Sequence, residues 1–187
     1  MSPLTSLDIL WAVWLVGWLA AAGWAARTVT RQSPAARLTH GVLIWVGAAL
    51  LFFRPGRLGP LTHRILAPAE WMAWAGLLLA AAGLAFACWA RVHLGRFWSS
   101  AVTLKADHAL VRGGPYALTR HPIYSGLLLA VAGTALARDS LGGLLGLAFL
   151  GAGIVVKVRQ EERLLREHFG PAYEAYRAEV PALIPRL

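Results

Sequence analysis

A chain of 187 residues that is 58% hydrophobic and only 14% charged, with a mean hydropathy of +0.57, has more apolar surface than a core of that size can hide; ordinary soluble domains carry roughly 25% charged residues. Lipid must cover the remainder. The formal charge of +9 would point a soluble protein toward nucleic acid, but here Lys and Arg sit in loops between apolar runs, as in membrane proteins, so no nucleic-acid partner is expected.

Five apolar runs follow one another, each judged against the roughly 20 residues a helix needs to cross the hydrocarbon core. The first, about Leu7 to Ala26, has no Lys or Arg ahead of it and continues through Trp11, Trp14, Trp18 and Trp24, which reads as a retained span and not a cleaved signal. The second runs from about Leu38 to Phe53 and the third, the longest, from about Ala69 to Ala90. Cys88 lies in the third run and is the single cysteine, so no disulfide forms within the chain and no nucleophile is placed there. The fourth, about Ile123 to Ala137, and the fifth, about Leu141 to Val156, are short: either polar flanks such as Ser140 and Lys157 extend them, or the hairpin sits shallow with Arg138 and Asp139 at its tip. Gly133, Gly142, Gly143, Gly146, Gly151 and Gly153 favour close packing between these two helices. The expected fold is all-α: one polytopic membrane domain over 1–187, with the first two spans in 1–68, the third span and a helical hairpin 121–160 in 69–187, and an amphipathic tail.

Orientation follows the Lys and Arg count. One side receives Arg27, Arg31, Arg37, then Arg91, Arg96, Lys105, Arg112, Arg120, then Lys157, Arg159, Arg163, Arg166, Arg177, Arg186; the other has Arg54, Arg57, Arg64 and Arg138. The richer side is the cytoplasmic one, which puts the amino terminus outside a bacterial inner membrane.

The fourth run opens with Gly113-Gly114-Pro115-Tyr116 and Arg120-His121-Pro122-Ile123-Tyr124, and the fifth closes with Glu161-Glu162. A transmembrane hairpin brings both groups to one face of the bilayer. Singly, each has a structural explanation: Pro122 is a good first helical residue, Gly113-Gly114-Pro115 a good turn, Tyr116 and Tyr124 interfacial aromatics, and the glutamates the solvated face of a helix running into water. Gathered together they form a pocket-sized constellation of opposite charges, which a greasy protein does not keep without reason. After the glutamates, Leu164, Leu165, Phe169, Tyr173 and Tyr176 recur at near-helical spacing, predicting an amphipathic helix along the membrane that closes over the site.

These motifs, together with Leu94-Gly95-Arg96-Phe97-Trp98-Ser99-Ser100, Leu110-Val111-Arg112 and Phe169-Gly170-Pro171-Ala172-Tyr173-Glu174-Ala175-Tyr176, resemble the integral-membrane methyltransferases related to isoprenylcysteine carboxyl methyltransferase, with phospholipid methyltransferases as more distant relatives. The resemblance covers roughly the second half. It implies methyl transfer from S-adenosylmethionine held on the cytoplasmic side, to a lipid-like acceptor arriving from the bilayer, with an isoprenoid or prenylcysteine-type carboxylate first and a lipid phenol, thiol or amine as alternatives. Cofactor contacts fall to Val111, Gly114, Tyr116, His121, Tyr124, Glu161 and Glu162; Arg120 and Glu162 are the catalytic candidates. The residue types suit the cofactor: aromatic faces attract a sulfonium, carboxylates accept from ribose hydroxyls or an ammonium, and an imidazole at a helix start suits a carboxylate. A carboxylate acceptor needs no base but does need a cation, for which Arg120 is preferred over Arg112, Arg159 and Arg163. For a phenol or amine, Glu162 or His121 is the candidate base. No metal is expected, since His93, His108 and His121 lack ligand spacing. Trp71, Trp74, Trp89, Phe97 and Trp98 either line the acceptor's path or form an aromatic belt. Two other classes stay open: a nicotinamide-dependent membrane reductase and a non-enzymatic membrane module.

Overall fold

A computed structural model of the protein describes residues 1–21, 28–31, 34–52, 59–66, 69–95, 103–105 and 110–185. Their body is helical: α1 Pro3–Ala20, α2 Pro34–Phe52, α3 Glu70–Leu94, α4 Pro122–Arg138, α5 Leu141–Phe169 and α6 Pro171–Glu179. To the expected all-α class the structure adds one antiparallel ribbon, β1 Thr28–Arg31 on β2 Thr103–Lys105, with Thr28 opposite Lys105 and Arg31 opposite Thr103. α1, α3 and α5 are long and apolar enough to cross a membrane, whereas α2, over Arg37–Phe52, and α4 are shorter apolar helices. The protein is an integral membrane protein.

Local chemistry sets the helix ends. Pro3 opens α1 behind Ser2, whose hydroxyl accepts from the Thr5 amide, and Ser140 caps α5 through the Gly143 amide. Pro122 opens α4 as its sequence position predicts, with His121 as the flanking residue and no side-chain cap bond. Asp139 ends α4 at φ +42° and makes the turn into α5. Its carboxylate accepts from Arg64 Nε and from the Leu66 amide, both at 3.0 Å, while Arg138 reaches Asp8 at 2.7 Å. The tip charges are thereby paired.

The glycines pack, but not as expected. Gly143, against Ala135 at 3.5 Å, and Gly151 face α4, but Gly133 seats α4 on α3, and Gly146 and Gly153 seat α5 on α2. A Cβ at Gly126 would stand 2.5 Å from the Gly83 carbonyl oxygen, one at Gly47 2.6 Å from the Leu150 amide nitrogen, and one at Gly153 2.8 Å from Ile44. Backbones this close leave no room for side chains. Gly151, on the face toward α4, meets only Leu128, at 3.9 Å. α1 then lies over the assembly: Leu7 is buried beside Ala80 and Ala137, and the Trp11 indole donates to Thr134 Oγ1 at 2.9 Å.

Candidate active site

The antiparallel α4–α5 hairpin brings the start of α4 level with the charged extension of α5, residues 159–169, which continues past the apolar span as one uninterrupted helix. Arg120 is the hub. Its Nε and Nη2 donate to Glu162 Oε1 at 2.9 and 2.5 Å, and its Nη1 donates to the carbonyls of Arg177, at 3.3 Å, and Val180. Both side chains are buried. Glu162 Oε2 lies 3.7 Å from Arg166 Nη2 and 3.8 Å from Arg177 Nε. Burial pushes the Glu162 carboxyl up, but the His121 imidazole beside it and the Arg120 guanidinium bonded to it outweigh that and bring it down to about 2.

His121 and Glu161 are less fully used. The His121 ring stacks on Tyr124 with centroids 5.9 Å apart. Its Nδ1 is 3.9 Å from Glu161 Oε2 and its Nε2 3.4 Å from Glu162 Oε1, yet neither His121 Nε2 nor Glu161 Oε2 makes a hydrogen bond, and both atoms are buried. The Tyr124 hydroxyl faces the Glu161 carboxylate, and Lys157, one turn before Glu161, sets its Nζ 5.4 Å from the Tyr124 ring centre. Buried polar atoms without partners are rare in a folded protein.

The remaining predicted residues adjoin this centre. Tyr116 is buried with Ala90 and Ile123, and Val111 and Tyr124 pack on the same cluster. Gly114, at φ +56°, lies so near His93 that a Cβ would stand 2.8 Å from the imidazole. Only glycine meets both conditions. The other candidate cations lie elsewhere: Arg112 pairs with Glu179 at 2.7 Å, Arg163 pairs with Glu167 on the surface, and Arg159 is exposed. Phe97, Trp98 and His108 lie outside the described residues, while Trp71, Trp74 and Trp89 face out of the bundle. Among the described residues no group of three or more His, Cys, Asp or Glu is arranged for a metal ion.

Sequence reasoning missed the carboxy-terminal strap. The amides of Arg120 and His121 donate to the carbonyls of Pro181 and Ala182 at 2.8 and 3.0 Å, and Ser125 Oγ donates to the Leu183 carbonyl at 2.6 Å. α6 does close over the site, but its aromatic face turns into the protein and not toward lipid. Tyr173 and Tyr176 are buried, and the Tyr176 hydroxyl donates to the Tyr116 carbonyl at 2.5 Å. A phenol finds an acceptor there that lipid cannot offer. Burial pushes the Tyr176 hydroxyl up to about 12 and drives those of Tyr116 and Tyr173 higher, so all three stay neutral near pH 7.

Fold and site together define a polytopic helical membrane protein with a charged, aromatic centre where the hairpin α4–α5 leaves its apolar span. The phospholipid methyltransferase family model matches residues 71–172, more than half of the chain. The chain belongs to that family. It is 37% identical over 99 residues to the protein-S-isoprenylcysteine O-methyltransferase of Schizosaccharomyces pombe (51% of this chain, 42% of that protein). It is 35% identical over 117 residues to the cobalt-zinc-cadmium resistance protein CzcN of Cupriavidus metallidurans (61% and 52%), and 42% identical over 72 residues to methanethiol S-methyltransferase 2 of Bradyrhizobium diazoefficiens (38% and 27%). The chain spans about half the length of the first two of these relatives.

Proposed function

We propose that the protein transfers a methyl group from S-adenosylmethionine to a lipid-like acceptor that reaches the site from the bilayer, an isoprenoid or prenylcysteine-type carboxylate being the best match. One observation carries this reading: His121 Nε2 and Glu161 Oε2, both buried and unpartnered, stand beside the Tyr124 ring at the meeting of α4 and α5. A donor, an acceptor and an aromatic face are what a molecule bearing a carboxylate, an ammonium or ribose hydroxyls, and a sulfonium requires. The cofactor supplies an electrophilic methyl; the chain's own work is to align and to exclude water.

Within that work the residues divide. His121 and Glu161 bind the cofactor, with Tyr124 and Tyr116 as packing faces and Val111 and Gly114 shaping the neighbouring turn. Glu162 and Arg120, engaged with each other and with the strap, are positioning residues. The cation facing the acceptor is then Lys157, on the membrane side of Glu161 and against Tyr124. A carboxylate acceptor, ionised at neutral pH, meets that charge directly. For a thiol or phenol, His121 is the base, because Glu162 is held too acidic to take a proton. The Lys and Arg asymmetry of the loops favours a site on the cytoplasmic side and an amino terminus outside.

Titration of the detergent-solubilised chain with S-adenosylhomocysteine and, separately, with a nicotinamide dinucleotide tests this. The first binds and the second does not. His121→Ala and Glu161→Ala each weaken S-adenosylhomocysteine by about tenfold or more, with thermal unfolding unchanged. Binding of the dinucleotide in its place makes the protein a reductase, and binding of neither makes it a non-enzymatic module.

A further inference from the structure

Two imidazoles stack on the two tyrosines of the site, and only one of them has been given work. His121 lies on Tyr124 with ring centroids 5.9 Å apart; His93, in the last turn of α3, lies nearly parallel to Tyr116 with centroids 6.3 Å apart. The Glu161 carboxylate acts on the hydroxyls of both tyrosines. Two imidazole–tyrosine pairs therefore meet at one acidic group.

Packing, and not hydrogen bonding, holds His93. A Cβ on Gly114 would stand 2.8, 2.9 and 3.1 Å from its Cε1, Nδ1 and Nε2, and one on Gly113 would reach only ordinary contact with Nε2, at 3.5 Å. Near-equal distances to three successive ring atoms put Gly114 over the face of the imidazole, which leaves uncovered the edge that carries the nitrogens. Neither nitrogen makes a hydrogen bond among the described residues, and the residue is exposed. A neutral imidazole offers one donor and one acceptor in the plane of its ring. Fixed by a backbone contact and a ring stack, that edge is ordered before any ligand arrives. The surfaces beside it are apolar: Leu94, Val111 and Tyr124 pack on the cluster that contains Tyr116. The charged end of the site, at His121 and Glu161, suits the amino-acid part of the cofactor. The other end offers flat and aliphatic faces with one hydrogen-bonding edge, which is what a purine requires.

We infer that His93 binds the base of the cofactor, accepting a hydrogen bond from the 6-amino group of adenine, and is the residue that selects adenine over a 6-oxopurine. The inference rests on the methyltransferase reading and adds to it a base-reading residue from α3, outside the turn and the hairpin. Gly114 then has a second duty, since a side chain there would push the imidazole out of its stack.

Titrating the full chain with S-adenosylhomocysteine and with S-inosylhomocysteine, in which an oxo group replaces the 6-amino group, tests it. The unsubstituted chain should bind the first about tenfold more tightly. His93→Ala weakens S-adenosylhomocysteine by about three- to tenfold and brings the two ligands within about twofold of each other. His93→Gln, which keeps a donor and an acceptor, restores part of the preference, and His168→Ala, on the exposed end of α5, changes neither affinity. A second measurement needs no variant: site-resolved modification by diethyl pyrocarbonate. S-adenosylhomocysteine at about ten times its Kd should slow the reaction at His93 about tenfold, while the exposed His63 and His168 react as before. A preference for adenine that survives His93→Ala, or a reaction at His93 that the ligand does not slow, overturns the inference while the methyltransferase reading stands. If the unsubstituted chain binds neither ligand, both fall.

Discussion

The hairpin α4–α5 and the pairs α3–α4 and α2–α5 hold helices together by opposite means. In the pairs, glycines remove side chains and let backbones touch, so the attraction is dispersion between surfaces with no room to move. In the hairpin, larger side chains such as Val131 and Leu150 meet in the apolar stretch, Gly151 touches only Leu128, and Arg120 and Glu162 tie α4, α5 and the strap together at one end. Rigid pairs hold the frame. The charge-tied end fixes the groups of the candidate site.

The largest way to break this contrast is at the tie. Arg120→Ala strands a buried carboxylate and releases two strap carbonyls, and should cost about 3–5 kcal/mol in thermal unfolding, with S-adenosylhomocysteine binding lost. Replacing Arg120 and Glu162 together by Met and Leu recovers much of that stability, as apolar substitution of a buried pair commonly does, without restoring binding. If the double variant binds as the unsubstituted chain does, the pair has no positioning role.

Next comes the seam. Gly126→Ala sets a methyl against the Gly83 carbonyl and should cost about 1–3 kcal/mol by forcing α3 and α4 apart. Gly151→Ala, with only a Leu128 methyl at ordinary contact distance, is neutral or slightly stabilising. Equal costs at the two positions would mean that the hairpin is as tightly packed as the seams.

This contrast shows what was legible in the sequence and what was not. Pro122 and the Glu161-Glu162 pair marked the hairpin and the candidate site at its end, because proline at a helix start and charge at the end of an apolar run are local signals. Helix partners are not local: Gly133 and Gly153 announce close approach without saying to what, and the structure sends them to α3 and α2. The strap was hidden for the same reason. Nothing in Val180-Pro181-Ala182-Leu183 betrays that its carbonyls accept from Arg120, His121 and Ser125, since backbone acceptors carry no sequence signature. Tyr173 and Tyr176 were visible as a helical stripe, but a stripe does not tell protein from lipid.

The tie also fixes a pH response. Glu162 has a folded value of about 2, below its ordinary 4.5, so its contribution is fully present above the ordinary value and is lost as pH falls toward 2. S-adenosylhomocysteine binding should therefore hold at about pH 4.5, where an unpaired glutamate would already be half protonated, and decline only below that. A midpoint near 4.5 would show a carboxylate that the guanidinium does not hold.

A modest effect is expected at the contact joining α6 to the turn before α4. Tyr176→Phe keeps the buried ring and the Arg112 stacking and deletes only the donor to the Tyr116 carbonyl. That carbonyl is buried under α6 and loses an acceptor's partner, so the cost should be about 1 kcal/mol of unfolding free energy. Tyr116 is held by its own burial as well as by this bond, so cofactor affinity should move far less than it does with His121→Ala. A loss of binding as large as that of His121→Ala would mean that α6 sets the Tyr116 turn as firmly as the strap sets His121, and that the boundary between frame and site runs through the tail and not along the hairpin.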